Sequence, residues 1–395
     1  MATAVSDSYT ATSGAVVYGG RQLSLPSWVP SVGTFANLGT STLDSVKPAG
    51  WPGNDVGGPF SNWSGAQYAG DFSTFGAVVY HGSGHLAQGT PEWAGVWCFD
   101  LDDLTVKGRN VPSAPLLENL ATDYNVYGES TVSGTIGHTT APHTYDGLIY
   151  QSTANGGGLK GSLIRNSFAG SIFNVTVHQF DLSSATAPPT RRINSLGGNS
   201  YPQSATDEAR GGYWYLNGNG NGPLKFIRFS DWSMTDYASA QFNDYGDYSL
   251  TYIPTLDCLV ATGRTGAGGG SMAVYVSVIS AGVPQPFVNV TISGTPPADA
   301  RCGTCWSTIL SKLVSYEASG SYVVHMLTPP AGSLTAGTWA WTQTTLAAVS
   351  GATPSKTTSV SNGTYGRFLE VPRARCFIWL DSVSQVPQAW RLPGM

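Results

Sequence analysis

The residues of this chain best able to do chemistry are its six histidines and a scatter of carboxylates. His81 and His85 flank a glycine-rich turn, "HGSGH", and His143 opens "HTYD", which ends in Asp146. A divalent metal needs three or four such ligands converging on one point. Spacing across separate strands does not establish convergence, so no metal and no cofactor is expected. Both motifs read first as hydrogen-bonding positions. Acid–base work on a sugar needs two carboxyls roughly 5–10 Å apart. Asp71, Glu92, Asp146, Asp207, Glu208, Asp244 and Asp247 all fall near expected strand ends, but no pair can be chosen from spacing. No Gly-x-Ser-x-Gly elbow is present, and the glycine run "RTGAGGGS" (264–271) lacks the Lys-Ser/Thr of a phosphate loop. Catalytic residues are therefore not assigned.

Other groups suit binding. Arg367 stands at the head of the apolar strand "RFLEV", where an inward guanidinium can brace carbonyls or meet an anion. Tyr213 and Trp214, in "GGYWYLNG", sit beside polar turns. There they either stack on sugars or partners at a loop rim, or wedge between sheets. The binding candidates are Arg367, His85, His143, Asp146, Tyr213 and Trp214. The five cysteines include one CxxC, "CGTC" (302–305). It has no helix beside it and no second pair for zinc, so it reads as buried thiols in strands. The Asn-rich "YLNGNGNGPLKF" (215–226) reads as a turn rather than a calcium loop, which would carry several carboxylates.

These residues must be positioned by strands. The chain has 395 residues, only 11% of them charged, with 49 glycines and 24 prolines. Such a composition describes many short strands joined by tight turns. Apolar runs of four to eight residues recur throughout, among them "GAVVYHGSG", "DGLIYQST", "LKFIRFSD", "MAVYVSVISA" and "CFIWLDS". The best helix candidate, Ala114–Tyr124, is short. The net charge of −5 is spread along the chain. Without a Lys/Arg cluster, nucleic acid is not an expected partner. No apolar run reaches membrane-spanning length, so membrane insertion is not expected either. The opening "MATAVSDSYTATSG" has neither the basic nor the apolar region of a secretory leader.

The strands repeat. Six weak units begin near Asn62, His138, Ser200, Phe242, Arg301 and Lys356, a periodicity typical of propeller blades. The units resemble kelch-type, galactose-oxidase-like blades, and in detail a group of bacterial and phage kelch-like proteins. The matching residues are Trp63, Ser64 and Gly65; Gly82, Gly84 and His85; His143 to Asp146; Gly363, Gly366, Arg367, Phe368 and Pro372; and Arg391 with Leu392. Phe35–Pro48 is similar to that family's segment before the first blade. The resemblance covers about residues 35–395. It implies one all-β propeller of six or seven four-stranded blades. No counterpart of galactose oxidase's copper ligands can be placed.

The expected organisation is an N-terminal extension over 1–50 and the propeller over 51–395. "QAWRL" (388–392) leaves the last blade one strand short, so an N-terminal strand should close the ring. Ser13–Leu25 is the segment expected to do so. Function follows less directly, because a fold hosts many. The preferred expectation is a non-catalytic interaction or structural protein, a bacteriophage virion component that is tail-associated or surface-decorating. Its partners would be other virion proteins or further copies of itself, with a host surface glycan as a candidate ligand, and its location the virion. The alternative is an extracellular carbohydrate-active hydrolase or lyase.

Overall fold

A computed structural model describes residues 15–18, 21–48, 65–81, 95–113, 123–127, 129–133, 135–139, 144, 146–166, 175–197, 202–217, 222–238, 248–264, 271–298, 302–316, 322–349, 351–353, 365–380 and 382–395. Among these residues six antiparallel four-stranded sheets stand as the blades of one propeller. Blade one comprises Ala66–Ala69, Ala77–Tyr80, Val96–Asp100 and Thr105–Arg109. The innermost strands of the others are Leu148–Gln151, Pro202–Asp207, Tyr248–Ile253, Thr304–Ser307 and Phe368–Val371. Each innermost strand lies beside the next, and the sixth lies beside the first. The blade starts agree with the six repeats of the sequence, which decides six rather than seven.

The continuous apolar runs have a simple cause. Strand residues alternate between two faces, and here both faces are buried. In Val96–Asp100, Val96 and Cys98 pack with Leu148, Leu163 and Phe180 of blade two. Trp97 and Phe99 pack with Val371, Cys376 and Ile378 of blade six. The two cysteines of "CGTC" are separated in the same way. Cys302 joins the cluster between blades four and five, and Cys305 packs with those bordering blade six.

The ring closes through the N-terminal segment, although not through the stretch expected. Thr34–Asn37 pairs antiparallel with the last strand, Gln388–Arg391, and becomes the fourth strand of blade six. Ala15–Tyr18 and Arg21–Ser24, inside Ser13–Leu25, pair only with each other. The closing strand brings apolar side chains into the core. Phe35 is fully buried and stacks on Trp390, with ring centroids 4.4 Å apart. Next along the chain, Leu38 and the one-turn helix residue Leu43 enter the seam of blades six and one. That helix, Leu43–Val46, starts at Thr42 with a capping box to Ser45. Of the expected helix Ala114–Tyr124, most residues lie outside the described ones, and Tyr124 forms an isolated bridge to Ser130.

Short parallel strands cover two outer edges. Ile292–Gly294 runs along blade five, and Ala347–Ala348 runs along Thr34–Phe35 of blade six. Each hides backbone groups that could recruit another chain.

Replacing Phe35 with alanine removes the ring stacked on Trp390 from a fully buried site. Urea unfolding should show a loss of about 3–5 kcal/mol. An unchanged midpoint would mean that the closing strand is dispensable.

Candidate functional site

The innermost strands enclose an axial cavity of about 310 Å³. Every blade contributes, five of them through their innermost strand or the turn beside it and blade two through Asp146. Gln67 and Tyr68 come from blade one, Ser204 and Thr206 from blade three, and Thr251 and Tyr252 from blade four. Blade five adds Trp306 and Thr308, and blade six adds Glu370. Asp146 enters from just before the innermost strand of blade two. The lining mixes hydroxyls, the Gln67 amide and aromatic rings with apolar side chains such as Leu250, Pro254, Leu369 and Pro372, and it includes two carboxyls; among the described residues it holds no Lys, Arg or His.

Asp146 is a bridge between blades. Its Oδ2 accepts hydrogen bonds from Ser249 Oγ at 2.9 Å and the Leu250 amide at 2.7 Å, both of blade four. Its backbone oxygen accepts from the Ser204 amide of blade three at 2.9 Å. One residue thus joins the starts of three neighbouring innermost strands. Burial pushes its carboxyl up to about 7, although both hydrogen bonds favour the ion. Glu370 makes the equivalent link from blade six to blade five. It accepts from Ser307 Oγ at 2.5 Å and from the Thr308 amide at 3.0 Å. Burial raises its pKa too, against those hydrogen bonds.

A polar belt surrounds the turns that follow the innermost strands. Asp71 of blade one accepts from the Tyr150 hydroxyl at 3.0 Å and the Thr153 amide at 2.8 Å in blade two. Glu208 of blade three accepts from Ser152 and Asn155 of blade two. Arg210 of blade three donates to Asp207 at 2.7 Å and to both oxygens of Asp257 in blade four. Arg373 of blade six donates to the carbonyls of Gly70 and Thr74 in blade one, at 2.6 and 3.0 Å. Asp71 and Glu208 are therefore engaged in joining blades, while Asp207 accepts from Arg210 and Trp214 of its own blade. Glu92, Asp244 and Asp247 lie outside the described residues.

The sequence candidates separate accordingly. Asp146 lines the cavity. His85 and His143 lie outside the described residues. Tyr213 and Trp214 are fully buried and do not stand at a rim. They point to opposite faces of Gly212–Asn217, Tyr213 into the seam with blade two and Trp214 into that with blade four. Tyr213 donates to Asn166 Oδ1 at 2.9 Å, and Trp214 Nε1 donates to Asp207 at 3.1 Å. Strand alternation between two packed blades leaves neither ring a solvent face. Arg367 is likewise fully buried, with its guanidinium carbon 5.8 Å from the ring centre of Trp379. Its charge also bears on Tyr80 of blade one, opposing the upward push of burial on that phenol. It lies buried within blade six, near enough to blade one for its charge to act on Tyr80, while its neighbour Gly366 lines the cavity. A Cβ on Gly366 would come within 2.6 Å of the Ala66 carbonyl, so that glycine answers crowding between these blades.

The motif residues do converge, in a structural role. Thr144 Oγ1 of "HTYD" accepts from the Gly65 amide at 2.9 Å and donates to the His81 carbonyl at 3.3 Å. Among the described residues no three His, Cys, Asp or Glu side chains gather as a metal site. Sequence reasoning missed Glu370, Ser204 and Trp306, because cavity lining depends on which blades meet at the axis. "RFLEVP" held the one usable signal, an acid inside an otherwise apolar strand.

No family model matches the chain. No curated protein matches it either. Solved structures similar to it include an auxiliary nutrient binding protein from Bacteroides ovatus, at 10% identity and TM-score 0.46, covering 84% of this chain and 69% of that one. The Malassezia sympodialis allergen Mala s 1 is similar at 13% identity and TM-score 0.42, over 74% of this chain and 80% of the other. A GH43 beta-xylosidase/alpha-arabinofuranosidase from a compost microbial metagenome is similar at 10% identity and TM-score 0.34, over 70% and 94%. No functional statement here rests on likenesses this distant.

Asp146 gives a measurable pH signature. The folded carboxyl keeps its proton up to about 7, while an unfolded one releases it near 4. Between those values the folded state binds more protons, so this group's contribution to stability declines as pH rises. The stability of wild type relative to Asp146→Asn should fall by a few kcal/mol from about pH 4 to 7 and level off above about 8. Urea unfolding of both proteins across that range checks it. Parallel curves would mean that the carboxyl is not raised.

Proposed function

We propose that this protein is a non-catalytic binding and assembly module whose axial cavity takes a neutral carbohydrate. The observation that carries this reading is the lining itself. A cavity near the lower end of small-ligand pocket size offers hydroxyl and amide groups beside Tyr68, Tyr252 and Trp306. Hydroxyls and amides match a sugar's donors and acceptors, and aromatic rings suit its apolar faces. Among the described residues no basic side chain lines the cavity, so these residues offer an anion no countercharge. Asp146 and Glu370 are already hydrogen-bonded between blades, and burial makes their charged forms costly.

The proposal extends to the setting. The sparse charge and the kelch-like motif residues support a kelch-like propeller serving as a bacteriophage virion component. It would contact other virion proteins or its own copies while presenting the cavity to a surface glycan. Copurification with particles tests that part separately.

A second reading has one observation in its favour. Two carboxyls of raised pKa share one cavity, as general acids of sugar-cleaving enzymes do. A neutral-glycan panel, with metal analysis of the purified protein, separates the two. The binding reading expects a retained glycan released unchanged, with affinity falling at least tenfold in Trp306→Ala under conditions where circular dichroism shows that variant folded. Cleavage of a panel glycan that disappears in Asp146→Asn and Glu370→Gln would replace binding with catalysis. No retention on any neutral glycan would remove the carbohydrate.

A further inference from the structure

The seam between blades one and two contains a buried polar chain that the cavity does not use. Arg165, only 1% exposed, lies between two imidazoles. Its Nη1 donates to His81 Nε2 at 3.0 Å, and its Nη2 donates to His178 Nδ1 at 3.2 Å. Each ring's other nitrogen faces an acceptor. His81 Nδ1 donates to the Gly95 carbonyl at 2.6 Å, and His178 Nε2 donates to Glu129 Oε1 at 3.2 Å. These partners define both tautomers. Both rings are neutral, and each turns its lone pair toward the same guanidinium.

Glu129 belongs to the linker between the two blades. Its Oε2 accepts from Arg191 Nη1 at 2.9 Å. The Arg191 guanidinium carbon stands 3.6 Å from the ring centre of Tyr127, in the same linker. The linker is thus attached to blade two through the far end of the histidine chain. It also carries three exposed apolar side chains, Val126, Val132 and Ile136.

We propose that the His81–Arg165–His178–Glu129 chain is an acid-sensitive latch that releases residues 123–139 from the ring. A proton arriving on either imidazole must occupy the nitrogen that faces Arg165. The acceptor then becomes a donor, and two cations meet about 3 Å apart in a site that water does not reach. Among the described residues the facing groups are these. Blade one supplies His81 and the Gly95 carbonyl. Blade two supplies Arg165, Thr176, His178 and Arg191, with the Phe180 ring against His81. The linker supplies Glu129.

The strain is relieved by opening, which returns both rings to water. Burial, with the Arg165 charge, holds the His81 pKa well below its ordinary value. Burial lowers His178 to about 4, although its bond to Glu129 opposes this. Burial pushes Glu129 up, but hydrogen bonds from His178 and Asn125 and the Arg191 charge hold its carboxyl below the usual range. Both histidines have depressed folded pKa values. Their contribution to the closed state is complete above about 6.5 and is lost as pH falls toward 4. Opening should therefore become more favourable as pH falls below about 6.5.

Hydrogen exchange on the full-length protein at pH 7.5 and 5.0, corrected for intrinsic rates, is the test. The expected result is at least a tenfold loss of protection at pH 5.0 in 123–139, with protection kept in the inner strands of the other blades. His178→Gln keeps a donor for Glu129 and an acceptor for Arg165 but cannot titrate, so with only His81 left to take a proton its loss of protection at pH 5.0 should be several-fold smaller than in wild type. Unchanged protection in wild type, equal loss in His178→Gln, or loss spread evenly over the chain would each overturn the latch. If His178→Gln does not fold, the distribution of the wild-type loss decides alone.

Discussion

The hydrogen bonds between Thr34–Asn37 and Gln388–Arg391 are the constraint on which everything else rests. A propeller blade is buried on both faces only while the ring is closed. Without the N-terminal strand, blade six would lack its fourth strand, and Phe35, Trp390 and Tyr316 would lose a shared core. Closure links chain segments more than 350 residues apart (Asn37 pairs with Gln388). The entropic cost of such a long loop grows only logarithmically with its length. What closes it is the burial of Phe35, Leu38 and Leu43 in the two seams that flank blade six.

Once the ring is closed, polar and apolar residues divide the work. Seams between blades take the alternating strand side chains. Turns at one rim exchange hydrogen bonds from blade to blade, through Asp71, Glu208, Arg210 and Arg373. At the axis, six strands leave a space that side chains do not fill, and Asp146 and Glu370 border it while tying blades together. Burial is why these two acids have raised pKa values, and it is also why they read first as braces. The seam of blades one and two departs from the apolar rule, because His81, Arg165 and His178 stand in strands whose other residues on that face are hydrophobic. A buried guanidinium between two neutral imidazoles is tolerable only in one protonation state, which gives that seam its sensitivity to acid.

Much of this was legible in the residue order. The apolar runs, the six repeats and the missing last strand led to a closed propeller. The "HTYD" motif marked Asp146 as a candidate and a hydrogen-bonding position, and the structure places it in the cavity lining. For Tyr213 and Trp214 the adjacent polar turns left a rim position and a place between sheets equally open, and strand alternation sends the two rings into different seams. Arg165 carried no signal at all. An arginine in "SLIRN" has the same local appearance on a solvent-facing strand as in a seam.

The sequence by itself determined the class of fold, the phase of each strand and the need for an outside strand to complete blade six. These are local matters of period, turn chemistry and strand count. The tertiary structure alone decided which N-terminal segment closes the ring, which acids face the axis and which histidines share an arginine. His81 and Arg165 are 84 residues apart, and Asp146 and Leu250 are 104 apart. No period in the chain specifies such meetings. They arise because each blade is rotated about one axis, so that distant strands arrive at the same depth on facing sides.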